Sequence, residues 1–262
     1  MKIVALVSSY RRKGNTAQVV ALLEKQMHTL ATQQSEALEF EIINLARQNI
    51  QMCRGCRVCF SKGEDLCPLK DDLLAIKEKV ETADTLILAS PVYVDDVNGV
   101  MKNWIDRMAF VCHRPEFAGK LAYTVATSGA SPVRHATRTM NAALQSWGFH
   151  IVGNAGFMTG AYLRQDVIVK KYQAKLDKVA RELYSAISGK QYHNPTFLAL
   201  MTFRIQQIGW SKAAKKDTPD YDYWHGNGWL NQKVQYFFPH RAGWVKVGAA
   251  RLVGSILAGI FT

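Results

Sequence analysis

Cys53, Cys56, Cys59 and Cys67 fall within 15 residues in the pattern CxxCxxCx7C, with Lys70, Asp71 and Asp72 just beyond. Thiolates are soft ligands, and four at this spacing are able to wrap one metal centre, a [4Fe–4S] cluster or a zinc ion. The unbroken CxxCxxC run favours the cluster, because zinc more often takes two separated CxxC pairs. A third reading needs no metal: the thiols are redox-active, or are simply buried sulfur in a loop. The N-terminal string MKIVALVSSYRRKGNT has too short an apolar run for a secretion signal, so a reducing, cytoplasmic setting is expected, in which crowded cysteines serve metal or redox chemistry rather than disulfides. Cys112 stands alone and reads as a structural thiol.

The second constellation is Ser8-Ser9-Tyr10-Arg11-Arg12-Lys13-Gly14-Asn15-Thr16, between an apolar run and a helical pattern. A strand feeding a helix through such a loop aims backbone N–H groups and the positive end of the helix dipole at one point, which attracts an anion. Ser9, Asn15 and Thr16 offer short side-chain donors, Gly14 allows close backbone approach, and Arg11 carries a fork suited to phosphate. A capped helix behind a solvated basic loop would show the same residue types. GxxxxGK[ST] and GxGxxG are both absent, so neither a triphosphate loop nor a dinucleotide fingerprint is indicated.

The elements that must hold these residues follow from periodicity. Lys2–Val7, Leu38–Leu45, Thr85–Ser90, Leu121–Thr127 and His150–Phe157 read as strands; 16–31, 71–80, 97–110, 132–147 and 167–188 read as helices, that at 71–80 with acidic residues in its first turn. Five alternations call for a parallel sheet between two helical layers, with the flavodoxin-like strand order 2-1-3-4-5. Residues 1–189 form this domain. Residues 190–262 form a C-terminal extension without further alternation, holding 13 of the 27 aromatic residues.

SSYRRKGNT resembles the GSxRxxGNT phosphate loop of the flavodoxin-like NADPH-dependent FMN reductase and iron-sulfur flavoprotein family. Ser90-Pro91-Val92-Tyr93 after strand three and Thr127-Ser128-Gly129 after strand four agree with the family in order and spacing. The resemblance implies an FMN whose phosphate is held by Ser9, Arg11, Asn15 and Thr16, whose ring edge meets Pro91, Val92 and Tyr93, and whose ring face lies beside Thr127, Ser128 and Gly129. It further implies NAD(P)H as hydride donor, a quinone, flavin or other small molecule as acceptor, and a homodimer or tetramer. The cysteine run resembles the compact cluster motif of the iron-sulfur flavoproteins, which implies Cys53, Cys56, Cys59 and Cys67 as ligands of a [4Fe–4S] cluster and an alternative role carrying electrons between ferredoxin and FMN. Ser8 departs from the family's usual Gly, and Tyr10 from its common Pro, which puts the geometry of the turn in question. Lys102 to Arg107 resembles the family's lKnfiDR helix, with Asp106 and Arg107 expected as surface charges beside a buried Trp104.

A net charge of +12, from 33 Lys and Arg against 21 Asp and Glu, welcomes anionic partners. No helix-turn-helix, zinc-finger or RNP pattern accompanies it, so no nucleic acid is expected. In the extension, 220–230 resembles the D-x-x-YW-x-x-x-GW segment of C-terminally extended NAD(P)H-dependent oxidoreductases, implying cover for a flavin or a neighbouring subunit; a packing hairpin is the plainer reading. The final helix gathers Ala249, Leu252, Val253, Ile256, Leu257 and Ile260 on one face, a basic amphipathic pattern suited to peripheral membrane contact or to docking. Its uncharged stretch from Leu252 spans 11 residues, against about 20 needed to cross a bilayer.

Overall fold

Ile3 to Val7 are almost completely buried, so the first strand, β1 (Lys2–Val7), has no wet face and belongs in the middle of a sheet. The structure is a computed structural model and describes residues 1–160, 164–189, 193–212 and 216–261. After β1 come α1 (Asn15–Gln33), β2 (Glu39–Asn44), the short α2 (Val58–Ser61), α3 (Leu73–Thr82), β3 (Thr85–Tyr93), β4 (Asp96–Val97) and α4 (Gly99–Arg107). They are followed by β5 (Leu121–Ser128), α5 (Arg134–Ser146), β6 (His150–Met158) and α6 (Gln165–Ser188). The parallel strands lie in the order β2-β1-β3-β5-β6, which is the expected 2-1-3-4-5 once β4, a two-residue strand antiparallel to β3, is set aside.

Alternation along β1 divides the core. Ile3, Ala5 and Val7 pack with α1 and α6, whereas Val4 and Leu6 face the layer of α3, α4 and α5. β5 is buried over its whole length, while β2 at the edge begins with an exposed Glu39.

The helix read as 97–110 is the shorter α4, Val97 being taken by β4, and two further boundaries depart from the sequence reading for local reasons. The helix expected from Asp71 starts at Leu73, because both acids turn back to accept backbone amides: Asp71 from Leu73 and Asp72 from Asn49, the latter at 2.7 Å. β3 runs past Pro91 to Tyr93, because Val94 and Asp95, at φ 48° and 69°, make the tight left-handed turn of a two-residue hairpin with β4.

The extension is helical. Thr196 caps α7 (Phe197–Trp210), accepting from the Ala199 amide at 3.1 Å, and Thr218 caps α8 (Pro219–Gly226), accepting from the Tyr221 amide at 3.2 Å. The segment read as a packing hairpin is therefore α8, whose Trp224 joins Phe203, Trp229 and Phe237 in an aromatic cluster. Full burial of each such ring is worth about 1.5–3 kcal/mol. The cluster docks beside residues 112–114, through Trp224 Nε1 to the His113 carbonyl and Gln206 Nε2 to the Cys112 carbonyl, both 2.8 Å, and none of its residues lines the cleft at the strand ends.

The final helix, α9 (Trp244–Phe261), packs on α7 through a seam of small residues. A Cβ on Gly254 would lie 2.8 Å from the Met201 carbonyl oxygen and 2.9 Å from Arg204 Cβ, so only glycine permits this approach. The apolar face read as suited to membrane contact or to docking consequently points outward, with Leu252, Ile256 and Ile260 exposed; Phe197 and Leu198 of α7 are exposed as well. No helix among the described residues is long and apolar enough to cross a membrane.

The rings of His150 and His193 stack with centroids 3.8 Å apart, joining the start of β6 to the start of the extension. Burial, and for His150 also the neighbouring His193, holds both below their ordinary range, His150 down to about 4. In the unfolded chain His150 returns to about 6.5, so the stability it confers as a neutral ring is present above that pH and is lost as pH falls towards 4. Melting temperature should fall across this window, and His150→Phe should flatten the fall; parallel profiles for the two proteins would contradict the assignment.

Candidate functional site

β1 ends at Val7, and the chain crosses the carboxyl edge of the sheet before α1. Ser8 continues the ladder, its N–H donating to the Ala89 carbonyl at 3.0 Å. Neither Ser8 nor Tyr10 takes a positive φ, so the Gly and Pro absent at these positions are not required by this turn. Ser9 Oγ accepts from the Arg11 amide at 3.2 Å, and Asn44 at the end of β2 donates to the Ser9 carbonyl at 3.0 Å, which fixes the loop from two sides. The N-cap of α1 is Gly14, no side chain caps the helix, and its first turn holds no acid. The first-turn amides lack intrahelical acceptors and face a loop bearing Arg11, Arg12 and Lys13, so the helix end is built for an anion rather than closed on itself.

Three further loops meet this one. Ser9, Arg11, Asn15 and Thr16, Pro91, Val92 and Tyr93, and Thr127, Ser128 and Gly129 all line a single cleft together with Gly14, Thr159 and Gly160. Among the described residues Arg11 is the one charged side chain of that lining. Asn15 and Thr16 reach across the cleft floor as well as towards it: Asn15 Nδ2 donates to Thr159 Oγ1 at 2.7 Å, and the Thr16 and Thr127 hydroxyls are 2.6 Å apart. Their first structural duty is to tie α1 to β5 and β6, leaving backbone amides and Arg11 as the anion donors. Thr159 and Gly160 were not singled out from the sequence, although a Thr-Gly pair after the last strand repeats the pattern of Thr127-Ser128-Gly129.

Asn98 joins the cleft to α4. Its amide donates to Ser90 Oγ at 3.2 Å, its side chain donates to the Ser8 carbonyl at 2.6 Å, and its Oδ1 caps the helix by accepting from Met101. At the far end of α4, about 12 Å along the axis, Asn103 and Arg107 grip the entry to the cysteine loop. The Cys53 amide donates to Asn103 Oδ1 at 3.1 Å, and Arg107 donates to the Gln51 carbonyl at 2.8 Å and bidentately to Asp71 at 2.6 and 3.1 Å. Arg107 is thus not the surface charge expected; its side chain is 3% exposed and that of Asp71 1%. Burial pushes the Asp71 carboxyl up, but the Arg107 fork and the Gln51 and Leu73 amides outweigh this and hold it below the usual carboxylate range.

Between these anchors the cysteine loop coils through left-handed Gly55, Arg57 and Gly63. Cys53 and Cys56 are exposed, and Cys59 and Cys67 half-buried, the latter two lining a small pocket with Arg107 and Phe110. Burial pushes the Cys59 thiol up, and Cys67, Cys53 and Cys56 push it the same way, so the other three cysteines of the run lie close enough to act on Cys59. Among the described residues no three His, Cys, Asp or Glu surround one ion position. A multi-iron cluster makes a different demand, because its thiolates bind separate irons; the four free cysteines of this loop are donors of the right kind for it. Arg114 braces the loop from beneath, donating to the Cys59 carbonyl at 3.0 Å, to Glu64 at 2.9 Å and to Asp220 of α8 at 2.7 Å.

A flavodoxin-like sheet whose carboxyl-end cleft pairs an open helix N-terminus with three converging loops defines a class of phosphate-bearing cofactor proteins. The model of the family described as NADPH-dependent FMN reductase matches residues 1–163, and the chain belongs to that family, as an FMN-containing oxidoreductase. It is 28% identical over 239 residues to an iron-sulfur flavoprotein of Archaeoglobus fulgidus, an alignment covering 88% of this chain and all of that protein. An iron-sulfur flavoprotein of Methanocaldococcus jannaschii is 36% identical over 107 residues, covering 41% of this chain and 51% of that protein. Among solved structures, an FMN-dependent NADH-azoreductase from Bacillus anthracis in complex with FMN superposes with a TM-score of 0.53 at 12% identity, covering 70% of this chain and the whole of that one, which shows the shared fold.

Proposed function

We propose that the cleft holds FMN, that NAD(P)H reduces it, and that the reducing equivalents pass to a small acceptor such as a quinone or a flavin. The observation that carries the reading is the convergence of the ten residues from three sequence-separated loops on one cleft behind an uncapped helix N-terminus. FMN, when bound, supplies the hydride-accepting chemistry. The amides of 15–17 and Arg11 bind its phosphate, the β3–β4 hairpin offers a ring edge at Pro91, Val92 and Tyr93, and the loop after β5 offers a backbone floor. No side-chain acid or base is needed. Exposed Tyr10, Tyr93, Val94 and Met158 on and around the cleft loops favour a second copy of the chain as its cover. Anaerobic titration of the FMN-loaded protein with NADPH and with NADH tests this directly: stoichiometric flavin bleaching is expected with at least one of them.

A second role rests on the cysteine loop. Cys53, Cys56, Cys59 and Cys67 would hold a [4Fe–4S] cluster, which when bound supplies one-electron storage, and the iron-sulfur flavoproteins among the relatives support this reading. Protein purified anaerobically should contain about four irons per chain, the content of this cluster type, and Cys56→Ala should lose that iron while retaining FMN; iron-free wild-type protein would reject the cluster.

The outward apolar face of α7 and α9 we assign to a membrane surface. Nine basic residues against three acidic ones in the extension suit anionic lipid. The full chain should float with phosphatidylglycerol vesicles and the exposed-face double variant Leu252→Glu, Ile256→Glu should not; equal flotation would contradict the assignment.

A further inference from the structure

The cysteine loop is held at its ends by α4 and in its middle by a different set of contacts. Asn103 and Arg107 fix the entry at Cys53 and Gln51, and Asp71, just past Cys67, closes onto Arg107. Between these anchors α2 is one helical turn bounded by left-handed Arg57 and Gly63, so Cys59 rides on a short unit with a sharp turn on either side. Arg114 ties this unit down. Its guanidinium donates to the Cys59 carbonyl at 3.0 Å and to Glu64 at 2.9 Å, both on the loop, and to Asp220 of α8 at 2.7 Å. The Arg114 side chain is 4% exposed and that of Asp220 5%, so the charges are met by protein rather than by water. Arg114 Nε is buried without a partner, which leaves Glu64 and Asp220 as the carboxylates that compensate the guanidinium.

A second path between loop and extension is largely apolar. The His113 ring packs on Phe60, the residue after Cys59, with centroids 4.9 Å apart, and on Trp210 of α7 at 5.2 Å. His113 Nδ1 lies 2.8 Å from Asp220 Oδ2, whereas Arg114 takes Oδ1. One carboxylate of the extension thus stands behind both residues that touch the Cys59 unit.

We propose that Asp220 is a positioning residue of the cysteine site: acting through Arg114, the docked extension keeps Cys59 in register with Cys53, Cys56 and Cys67, so that metal loading of the loop and docking of the extension reinforce one another. The coupling is reciprocal, since whatever binds the assembled thiols better than the splayed ones favours the docked extension by the same factor. The loading half of this inference rests on the cluster reading of the four cysteines; the hold on Cys59 does not.

Alkylation of metal-free, full-length protein with iodoacetamide, each cysteine being followed by peptide mass spectrometry, tests the hold on Cys59. Asp220→Asn keeps the size of the side chain and removes its charge. It should speed labelling of half-buried Cys59 about tenfold or more, the scale of one charge-assisted hydrogen bond, and change exposed Cys53 and Cys56 by less than about twofold. Asp220→Glu, which restores the carboxylate, should recover part of the protection. Should Asp220→Asn loosen α8 outright, Glu64→Gln cuts the same tie from the loop side and should expose Cys59 with α8 still docked. After anaerobic reconstitution with iron and sulfide, a chelator should draw iron from either variant about tenfold faster than from the wild type, with FMN affinity unchanged. Amide exchange across 219–226 should be slower in loaded than in metal-free wild-type protein. Unchanged Cys59 labelling in both variants, equal acceleration at all four loop cysteines, or iron release and amide exchange indifferent to Asp220 and to loading would overturn the proposal. Wild-type protein that takes up no iron would count against the cluster reading, and the labelling comparison would still decide whether Asp220 holds Cys59.

Discussion

Replacing Arg107 with Met should cost about 3–5 kcal/mol of unfolding free energy, the scale on which breaking one side of a buried ion pair is felt. The side chain is of similar length, so the effect is not a cavity. What is lost is the fork that satisfies both oxygens of Asp71, a carboxylate with 1% of its side chain exposed, and the donor to the Gln51 carbonyl. Asp71 would then be buried without a counter-charge and would take up a proton near neutral pH, so the loss should grow as pH rises above the ordinary carboxylate range. Arg107→Lys keeps charge without the fork and should fall between the two. The double variant Arg107→Met, Asp71→Leu should recover much of the loss, because the penalty lies in the orphaned partner. Urea unfolding of the four proteins measures this. A loss under about 1 kcal/mol for Arg107→Met would be the scale of an exposed pair and would mean that the pair does not close the cysteine loop.

The second large effect is expected at Gly14. Its φ of −72° is open to any residue, so backbone strain is not at issue. Space is: an added Cβ would meet Arg11 Cβ at 2.9 Å, Ser9 Oγ at 3.1 Å and the Arg11 carbonyl at 3.2 Å. Gly14→Val therefore has to push residues 9–11 away from the helix end, moving the guanidinium and the loop amides off the point where they converge. Charge-assisted hydrogen bonds contribute about 1.5–3 kcal/mol each, and misplacing two of them weakens FMN binding by at least a hundredfold. The melting temperature should change little, because the loop lies outside both cores. Gly14→Ala should show a smaller loss of the same kind. Flavin fluorescence titration reads the affinities, and a change under threefold for Gly14→Val would place the phosphate elsewhere.

The parts of this molecule that sequence makes plain are those governed by local periodicity. β1, the buried β5 and the long α1 follow from unbroken apolar runs and a helical stripe, and the strand order follows from their alternation with helices. The cleft was legible in its three loops, because each sits where a strand ends. What escaped was set by contacts between distant residues. Arg107 looks like any surface arginine on a helix; only the return of Asp71 across 36 positions makes it a buried clamp. Asn98, which locks Ser8 and Ser90 together, carries no local signal beyond a helix cap. The apolar face of α9 was visible, but its direction depended on Gly254 and its approach to Met201 in another helix. Asp220 likewise gains its role as the tie between extension and cysteine loop only when Arg114 is brought to it.

The central claim is that the cleft at the carboxyl ends of β1, β3 and β5 holds FMN and that NAD(P)H reduces it there. Protein stripped of flavin, incubated with FMN and freed of excess should be titrated anaerobically with NADPH, and in parallel with NADH, while the flavin absorption band is followed. The account predicts one FMN retained per chain, bleaching complete at one equivalent of a nicotinamide donor, and loss of both in Gly14→Val. A wild-type protein that retains no FMN, or that retains it with neither donor able to reduce it, would contradict it.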